Sequence, residues 1–119
     1  MLPCHAAESI TSLKFDRLGE RSLRDIWEHS EAFEKYRGSG WMPAKCRRCE
    51  RHEMDWGGCR CQAFAITGDA GNMDPACEFS DYHENLVSLA IRESEQGDET
   101  FVPRRAGFKI PVRGVRVET

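Results

Sequence analysis

Five of the six cysteines in this chain fall between Cys46 and Cys77, and an aspartate, Asp55, lies among them. Thiolates at such close spacing are typical ligands of iron–sulfur clusters and of zinc. A metal centre with several ligands in one short segment dictates how the backbone runs around it. This cysteine cluster therefore constrains the fold more than any other part of the sequence. Its members are Cys46, Cys49, Cys59, Cys61 and Cys77.

Composition limits the classes of protein to which the chain can belong. A length of 119 residues indicates one domain, and 39% hydrophobic against 31% charged residues predicts a thin core that a bound metal centre would help to stabilise. The net charge of −3 gives no electrostatic case for binding nucleic acid or an acidic membrane. The sequence contains neither a secretory leader nor an apolar run of the roughly 20 residues that span a bilayer, so we expect a cytoplasmic protein.

Three kinds of site are compatible with these cysteines. An even count fits a disulfide framework, but thiols stay reduced in the cytosol, and Cys59 and Cys61 are too close in sequence to bridge without strain. Cys46-x2-Cys49 with two later thiolates fits structural zinc, which would leave two cysteines unused. Close pairs with one remote cysteine fit an iron–sulfur cluster. By itself, Asp55 is typical of a turn before Trp56-Gly57-Gly58.

Apolar spacing predicts three helices, over residues 22–37, 59–67 and 81–93. Ser22 is a good N-cap for the first, while Gly38 and Gly40 end it. We expect an α+β or mainly helical metallodomain, small and irregular, with short helices wrapped around the metal. Its predicted extent is 1–92, followed over 93–119 by an extended basic tail that contains Pro103 and Pro111 and could add an edge strand.

The order of these residues resembles one known family. Cys46-x2-Cys49-x5-Asp55-x3-Cys59, followed by Cys77, is similar to the SPASM pattern, which belongs to the auxiliary iron–sulfur cluster domain of certain radical S-adenosylmethionine (SAM) enzymes. An aspartate in the third cysteine position resembles one group among them, the peptide cyclases that act on the precursor PqqA. The segments Leu2-Pro3-Cys4-His5 and Asp74-Pro75-Ala76-Cys77 resemble the same group.

The resemblance implies two interleaved sets of ligands. The second-cluster set would hold a 4Fe–4S centre, the second auxiliary cluster, and comprises Cys46, Cys49, Asp55 and Cys77. The first-cluster set would hold the first auxiliary cluster and comprises Cys4, Cys59 and Cys61. In the family a fourth ligand of the first cluster lies upstream of the Leu-Pro-Cys segment, so this set is incomplete here.

The resemblance also implies a function and partners. The family joins a glutamate side chain to a tyrosine ring in PqqA, the first step toward pyrroloquinoline quinone, and its auxiliary clusters pass on an electron. The implied partners are a radical SAM barrel, in the same or a separate subunit, together with PqqA and its chaperone. This chain has no Cys-x3-Cys-x2-Cys motif, so we expect it to bind a cluster but not SAM, and not to catalyse the crosslink alone. The alternative is a free-standing module that binds a peptide or protein partner around a structural zinc or iron–sulfur site.

Overall fold

The computed structural model of the chain describes residues 1–96, which form a succession of short helices. The only pairing of extended backbone in this part of the chain is an isolated bridge between Leu18 and Arg21. The predicted tail lies outside the described residues from residue 97 onward, so the α+β class and the boundary at 92 stay predictions. The helices are η1 (Ala7–Ser9, a 3-10 helix), α1 (Leu23–His29), α2 (Glu31–Glu34), α3 (Ala44–Arg47), α4 (His52–Asp55), α5 (Arg60–Thr67) and α6 (His83–Glu95).

The helix predicted over residues 22–37 is interrupted at Ser30. It begins as predicted, because the Ser22 hydroxyl accepts a hydrogen bond from the Asp25 N–H at 3.2 Å. Ser30 then adopts an extended conformation (φ −84°, ψ 146°), which ends α1 and begins α2. The two helices pack against each other and bury Ile26 and Ala32. The prediction of one continuous helix was therefore wrong at this residue.

The other two predicted helices are present. Residues 59–67 form α5, with Cys59 as its N-cap and Gly68 ending it in the left-handed conformation (φ +79°). Residues 81–93 correspond to α6, which begins two residues later than predicted and continues to Glu95. Before it, the Ser80 hydroxyl accepts a hydrogen bond from the Tyr82 N–H at 3.3 Å. Among the described residues, none of these helices is long and apolar enough to cross a membrane.

A small core joins the N-terminal segment to α5. Ile10, Leu13 and Ala70 form its buried centre, and Cys61 and Phe64 of α5 pack against them. Helix η1 also packs against α5, so the segment that follows Cys4 is held next to Cys61. Of the buried hydrophobic side chains among residues 1–96, half are alanines, which fits the thin core expected from the composition. The set is Ala7, Ile10, Leu13, Ile26, Ala32, Met42, Ala63 and Ala70.

Candidate metal centre

The four residues of the second-cluster set meet at one cavity. Cys46 lies in α3, Cys49 follows that helix, and Asp55 is the last residue of α4. Cys77 reaches the same cavity from the loop that precedes α6. The structure therefore brings together all four predicted ligands of this set. The cavity has a volume of about 260 Å³ and is lined by Lys45, Cys46, Arg48, Cys49, Asp55, Met73, Cys77 and Phe79.

Tight turns place Cys46 and Cys49 on the same side of the backbone. The Cys49 N–H donates to the Cys46 carbonyl at 3.0 Å, and the His52 N–H donates to the Cys49 carbonyl at 3.2 Å. The His52 ring also contacts this carbonyl, with Nδ1 at 2.8 Å. An x2 spacing thus becomes a single turn that directs two thiols toward one space, as a metal-binding cysteine pair requires.

Asp55 forms the predicted turn and also lines the cavity. Its Oδ1 accepts a hydrogen bond from the Gly57 N–H at 2.9 Å, which closes an Asx turn. Its Oδ2 has no hydrogen-bond partner among residues 1–96, so one carboxylate oxygen remains available to a metal. Trp56, Gly57 and Gly58 follow with φ of +50°, +82° and +76°, and this left-handed run reverses the chain toward Cys59.

The thiol of Cys46 is in an environment that opposes its ionisation. Burial raises its pKa, and the nearby acidic groups of Cys77 and Asp55 raise it further, while Arg60 has the opposite effect. Without a metal the Cys46 side chain therefore favours the protonated thiol. A metal deprotonates a coordinating thiol, so the loading of this site is accompanied by release of protons.

The first-cluster set also assembles. The Sγ atoms of Cys4 and Cys61 lie 3.4 Å apart, although the residues are distant in sequence. Burial, followed by contacts with Cys4 and Cys59, raises the pKa of Cys61 to about 12. Cys4 and Cys59 are exposed, so this group of thiols lies at the surface. The structure thus places all three predicted residues of this set together, separately from the cavity of the second-cluster set.

Two further residues support these sites. Asp74 is only 8% exposed, and its Oδ2 accepts a hydrogen bond from the Cys59 N–H at 2.5 Å. Its Oδ1 accepts from the Gln62 side chain and the Ala76 N–H, both at 3.0 Å, and its carbonyl accepts from the Cys77 N–H at 3.0 Å. Asp74 therefore joins a ligand of one set to a ligand of the other. Arg60 is the second such residue. Its position between Cys59 and Cys61 indicates a cation beside the cluster ligands, but its contacts with the carbonyls of Ala70 and Asn72 have no local sequence signal. The role of Asp74 has none either, because it joins segments that are distant in sequence.

The donors surround a space and do not converge on one point. No three His, Cys, Asp or Glu side chains among residues 1–96 lie close enough to hold a single metal ion. The ligands of a zinc ion all lie within about 2.3 Å of it. In a 4Fe–4S cluster each thiolate binds a different iron, so the ligands stand farther apart. Among residues 1–96 the donors therefore do not form a preassembled site for a single metal ion.

Comparison with known proteins agrees with this chemistry. Residues 1–50 match the family model of SPASM, described as an iron–sulfur cluster-binding domain. Residues 1–50 therefore carry the iron–sulfur cluster-binding domain of the SPASM family. The resemblance drawn from the cysteine spacing is therefore confirmed, and iron–sulfur cluster binding follows from membership in this family.

Relatives with the name PqqA peptide cyclase match nearly the whole chain. That of Xanthomonas campestris pv. campestris (strain 8004) is 53% identical over 105 residues, which cover 88% of this chain and 28% of the relative. For Xanthomonas axonopodis pv. citri (strain 306) the identity is 52% over 118 residues, which cover 99% of this chain and 32% of the relative. For Bradyrhizobium diazoefficiens the identity is 54% over 105 residues, which cover 87% of this chain and 28% of the relative. The SPASM chain spans less than a third of the length of the curated relatives it matches.

Proposed function

We propose that the second-cluster set, namely Cys46, Cys49, Asp55 and Cys77, holds a 4Fe–4S cluster. The observation that carries the proposal is the cavity that all four residues line. Three thiols and a carboxylate are a donor set that an iron–sulfur cluster accepts, with the carboxylate as the harder and weaker ligand. Lys45 and Arg48 line the same cavity, and their positive charges offset the negative charge of a bound cluster. The first-cluster set would supply three ligands to a second cluster.

The role we propose for the bound clusters is the transfer of single electrons. Two features support it: the ligand sets are distinct, and Cys59 of one set is hydrogen-bonded to Asp74, whose carbonyl accepts from Cys77 of the other. Because Asp74 links the two ligand sets in this way, we propose that the two clusters act in series. When bound, an iron–sulfur cluster accepts and gives up one electron at a potential that its surroundings adjust.

We also propose that this domain is the auxiliary-cluster domain of a PqqA peptide cyclase. The proposal rests on the identity to relatives of that name over 87–99% of the chain. A radical SAM barrel, in the same or a separate polypeptide, would generate the radical that joins glutamate to tyrosine in PqqA. The auxiliary clusters would then take up the electron released on oxidation of the product radical. PqqA and its chaperone are the further partners of this proposal, and the cytoplasm is its location.

A purely structural role for the metal is the second candidate function. The small, alanine-rich core favours it, because a domain with so little buried apolar surface gains from a metal that ties distant segments together. Reversible one-electron reduction separates the two functions. An electron-transfer domain is reduced by dithionite and reoxidised without loss of iron, whereas a structural zinc site gives no redox signal.

The role of Asp55 can be tested against a matched control. Asp69 forms the same kind of turn, its Oδ1 accepting from the Gly71 N–H at 2.8 Å, but does not line the cavity. Asparagine preserves an Asx turn at both positions and removes the carboxylate. We expect Asp55→Asn to change the electron paramagnetic resonance spectrum and the potential of the cluster, Asp55→Cys to retain the cluster, and Asp69→Asn to match the unmodified chain. If Asp55→Asn and Asp69→Asn are indistinguishable, Asp55 is a turn residue alone.

A further inference from the structure

The side chain of Arg60 is surrounded by backbone carbonyls from two separate turns. Its Nη1 donates to the carbonyls of Ala70 and Asn72, both at 2.7 Å. Its Nη2 donates to the Gly57 carbonyl, and its Nε donates to the Gly58 carbonyl at 3.4 Å. A guanidinium presents several N–H donors in a rigid plane, so one side chain can fix the position of two loops relative to each other. No other arginine in the described part of the chain bridges two loops in this way.

An aromatic ring covers the same guanidinium. The Cζ of Arg60 lies 4.4 Å from the centroid of the Trp41 ring, which Tyr36 contacts edge-on at 5.1 Å. The Trp41 ring also fits against Gly57 so closely that a Cβ there would come within 2.7 Å of it. Arg60 is therefore fixed by stacking as well as by hydrogen bonds, and burial lowers its pKa without removing its charge.

The position of Arg60 relates it to both ligand sets. In sequence it lies between Cys59 and Cys61 of the first-cluster set. The Gly57 and Gly58 carbonyls that it holds belong to the turn that Asp55 closes, and the 70–72 turn leads directly into the loop of Asp74 and Cys77. Its charge also acts on a thiol of each set, Cys46 and Cys59. One side chain is thus linked to both predicted cluster sites.

We propose that Arg60 is a positioning residue that fixes the two cluster sites relative to each other and places one positive charge between them. The proposal rests on the cluster assignment proposed above. Its first consequence is mechanical: loss of the four carbonyl contacts loosens the ligands of both sets. Its second is electrostatic, since a cation near a cluster favours the reduced state, which carries more negative charge, and so raises the potential.

Two substitutions in the full 119-residue chain, loaded with clusters without oxygen, separate these consequences. Arg60→Lys keeps the charge but cannot contact four carbonyls in one plane, so we expect iron loss to a chelator to be on the order of ten-fold faster, with potentials near those of the unmodified chain. Arg60→Gln removes the charge as well, so both potentials should also become more negative. Arg24→Gln is the matched control, because Arg24 is exposed and, within residues 1–96, pairs with Glu28 on its own helix, α1.

Each outcome bears on the proposal. Wild-type iron retention and potentials in both Arg60 variants, or a shift confined to one cluster, would overturn it while leaving the cluster assignment intact. An unmodified chain without iron and sulfide would overturn both. If neither variant folds by far-UV circular dichroism, hydrogen exchange of the Arg60 guanidinium is measured in the unmodified chain by nuclear magnetic resonance. Slow exchange supports the positioning role of Arg60, and exchange as fast as that of Arg24 contradicts it.

Discussion

At the scale of single residues, Gly58 has the least room for a side chain among the glycines in the described part of the chain. A Cβ built on Gly58 would lie 2.4 Å from Asp74 Oδ2 and 2.6 Å from Asp74 Cβ. Asp74 cannot move away without losing its hydrogen bond to the Cys59 N–H. Gly58 also has a φ of +76°, in the left-handed region that favours glycine. Both the backbone conformation and the contact therefore require a residue without a side chain here.

We expect Gly58→Ala to destabilise the chain more than a substitution that costs backbone strain alone. Gly38 is the matched control, because it has a φ of +64° and no atom within 4 Å of the place that an alanine methyl group would occupy. Gly38→Ala should lower the free energy of unfolding by about 1 kcal/mol, and Gly58→Ala by about 2–4 kcal/mol because overlap adds to strain. Denaturant unfolding of both variants measures the difference. Equal decreases in the free energy of unfolding would show that Asp74 moves to make room for the methyl group.

At the scale of secondary structure, most helices of this domain are too short to be stable alone. Helices α3 and α4 have four residues each, and α2 has the same length. The first turn of an isolated helix is unfavourable in free energy, because it fixes several backbone dihedral angles for one hydrogen bond. Such short segments therefore depend on tertiary contacts or on a bound metal. Helices α1 and α5 begin at residues whose side chains accept a hydrogen bond from the first turn, and α5 ends at Gly68. Local capping therefore matters most in α1 and α5.

The N-cap of α1 offers a test of this dependence. Ser22→Ala removes the hydroxyl that accepts from the Asp25 N–H, and we expect a loss of about 1 kcal/mol in the free energy of unfolding. Ser88 lies exposed within α6, so Ser88→Ala should be neutral or slightly stabilising, because alanine is the better helix former. Circular dichroism in denaturant measures both. No difference between the variants would mean that α1 is held by packing alone.

The elements differ in how far the sequence predicts them. Helix α5 was predictable because Cys59 and Gly68 mark its ends locally. The break at Ser30 was not, because apolar residues continue at helical spacing beyond it and the packing of α2 on α1 decides the outcome. The ligand sets followed from spacing and family resemblance. The supporting roles of Arg60 and Asp74 depend on contacts 10 to 15 residues away in sequence, which no local pattern encodes.

At the scale of the whole molecule, we expect both the proposed metal sites and the hydrophobic core to stabilise the fold. The core cluster of Ile10, Leu13 and Ala70 joins the segment after η1 to α5 and the loop that follows α5, and Tyr36 also packs against it. The segments that carry Cys46, Cys49 and Cys77 contribute few buried apolar side chains to it. Ligand bonds to a cluster would tie these segments together, and metal binding that requires the folded state stabilises that state.

We therefore expect iron removal to destabilise the chain. Treatment with a chelator and an oxidant should lower the helical signal in far-UV circular dichroism and broaden the unfolding transition, because α3 and α4 lose their ligand bonds. Reconstitution with iron and sulfide should restore both signals. A metal-free chain with an unchanged spectrum and unfolding midpoint would show that the core alone maintains the fold.

The most direct test of the central claim is to measure iron, zinc and acid-labile sulfide in the chain purified without oxygen. A 4Fe–4S cluster at Cys46, Cys49, Asp55 and Cys77 predicts iron and sulfide in equal amounts, with a loss of both in Cys77→Ser. The Asp69→Asn variant, which alters no predicted ligand, should retain the full content. Stoichiometric zinc without sulfide, or a Cys77→Ser variant with undiminished iron and sulfide, would contradict the account.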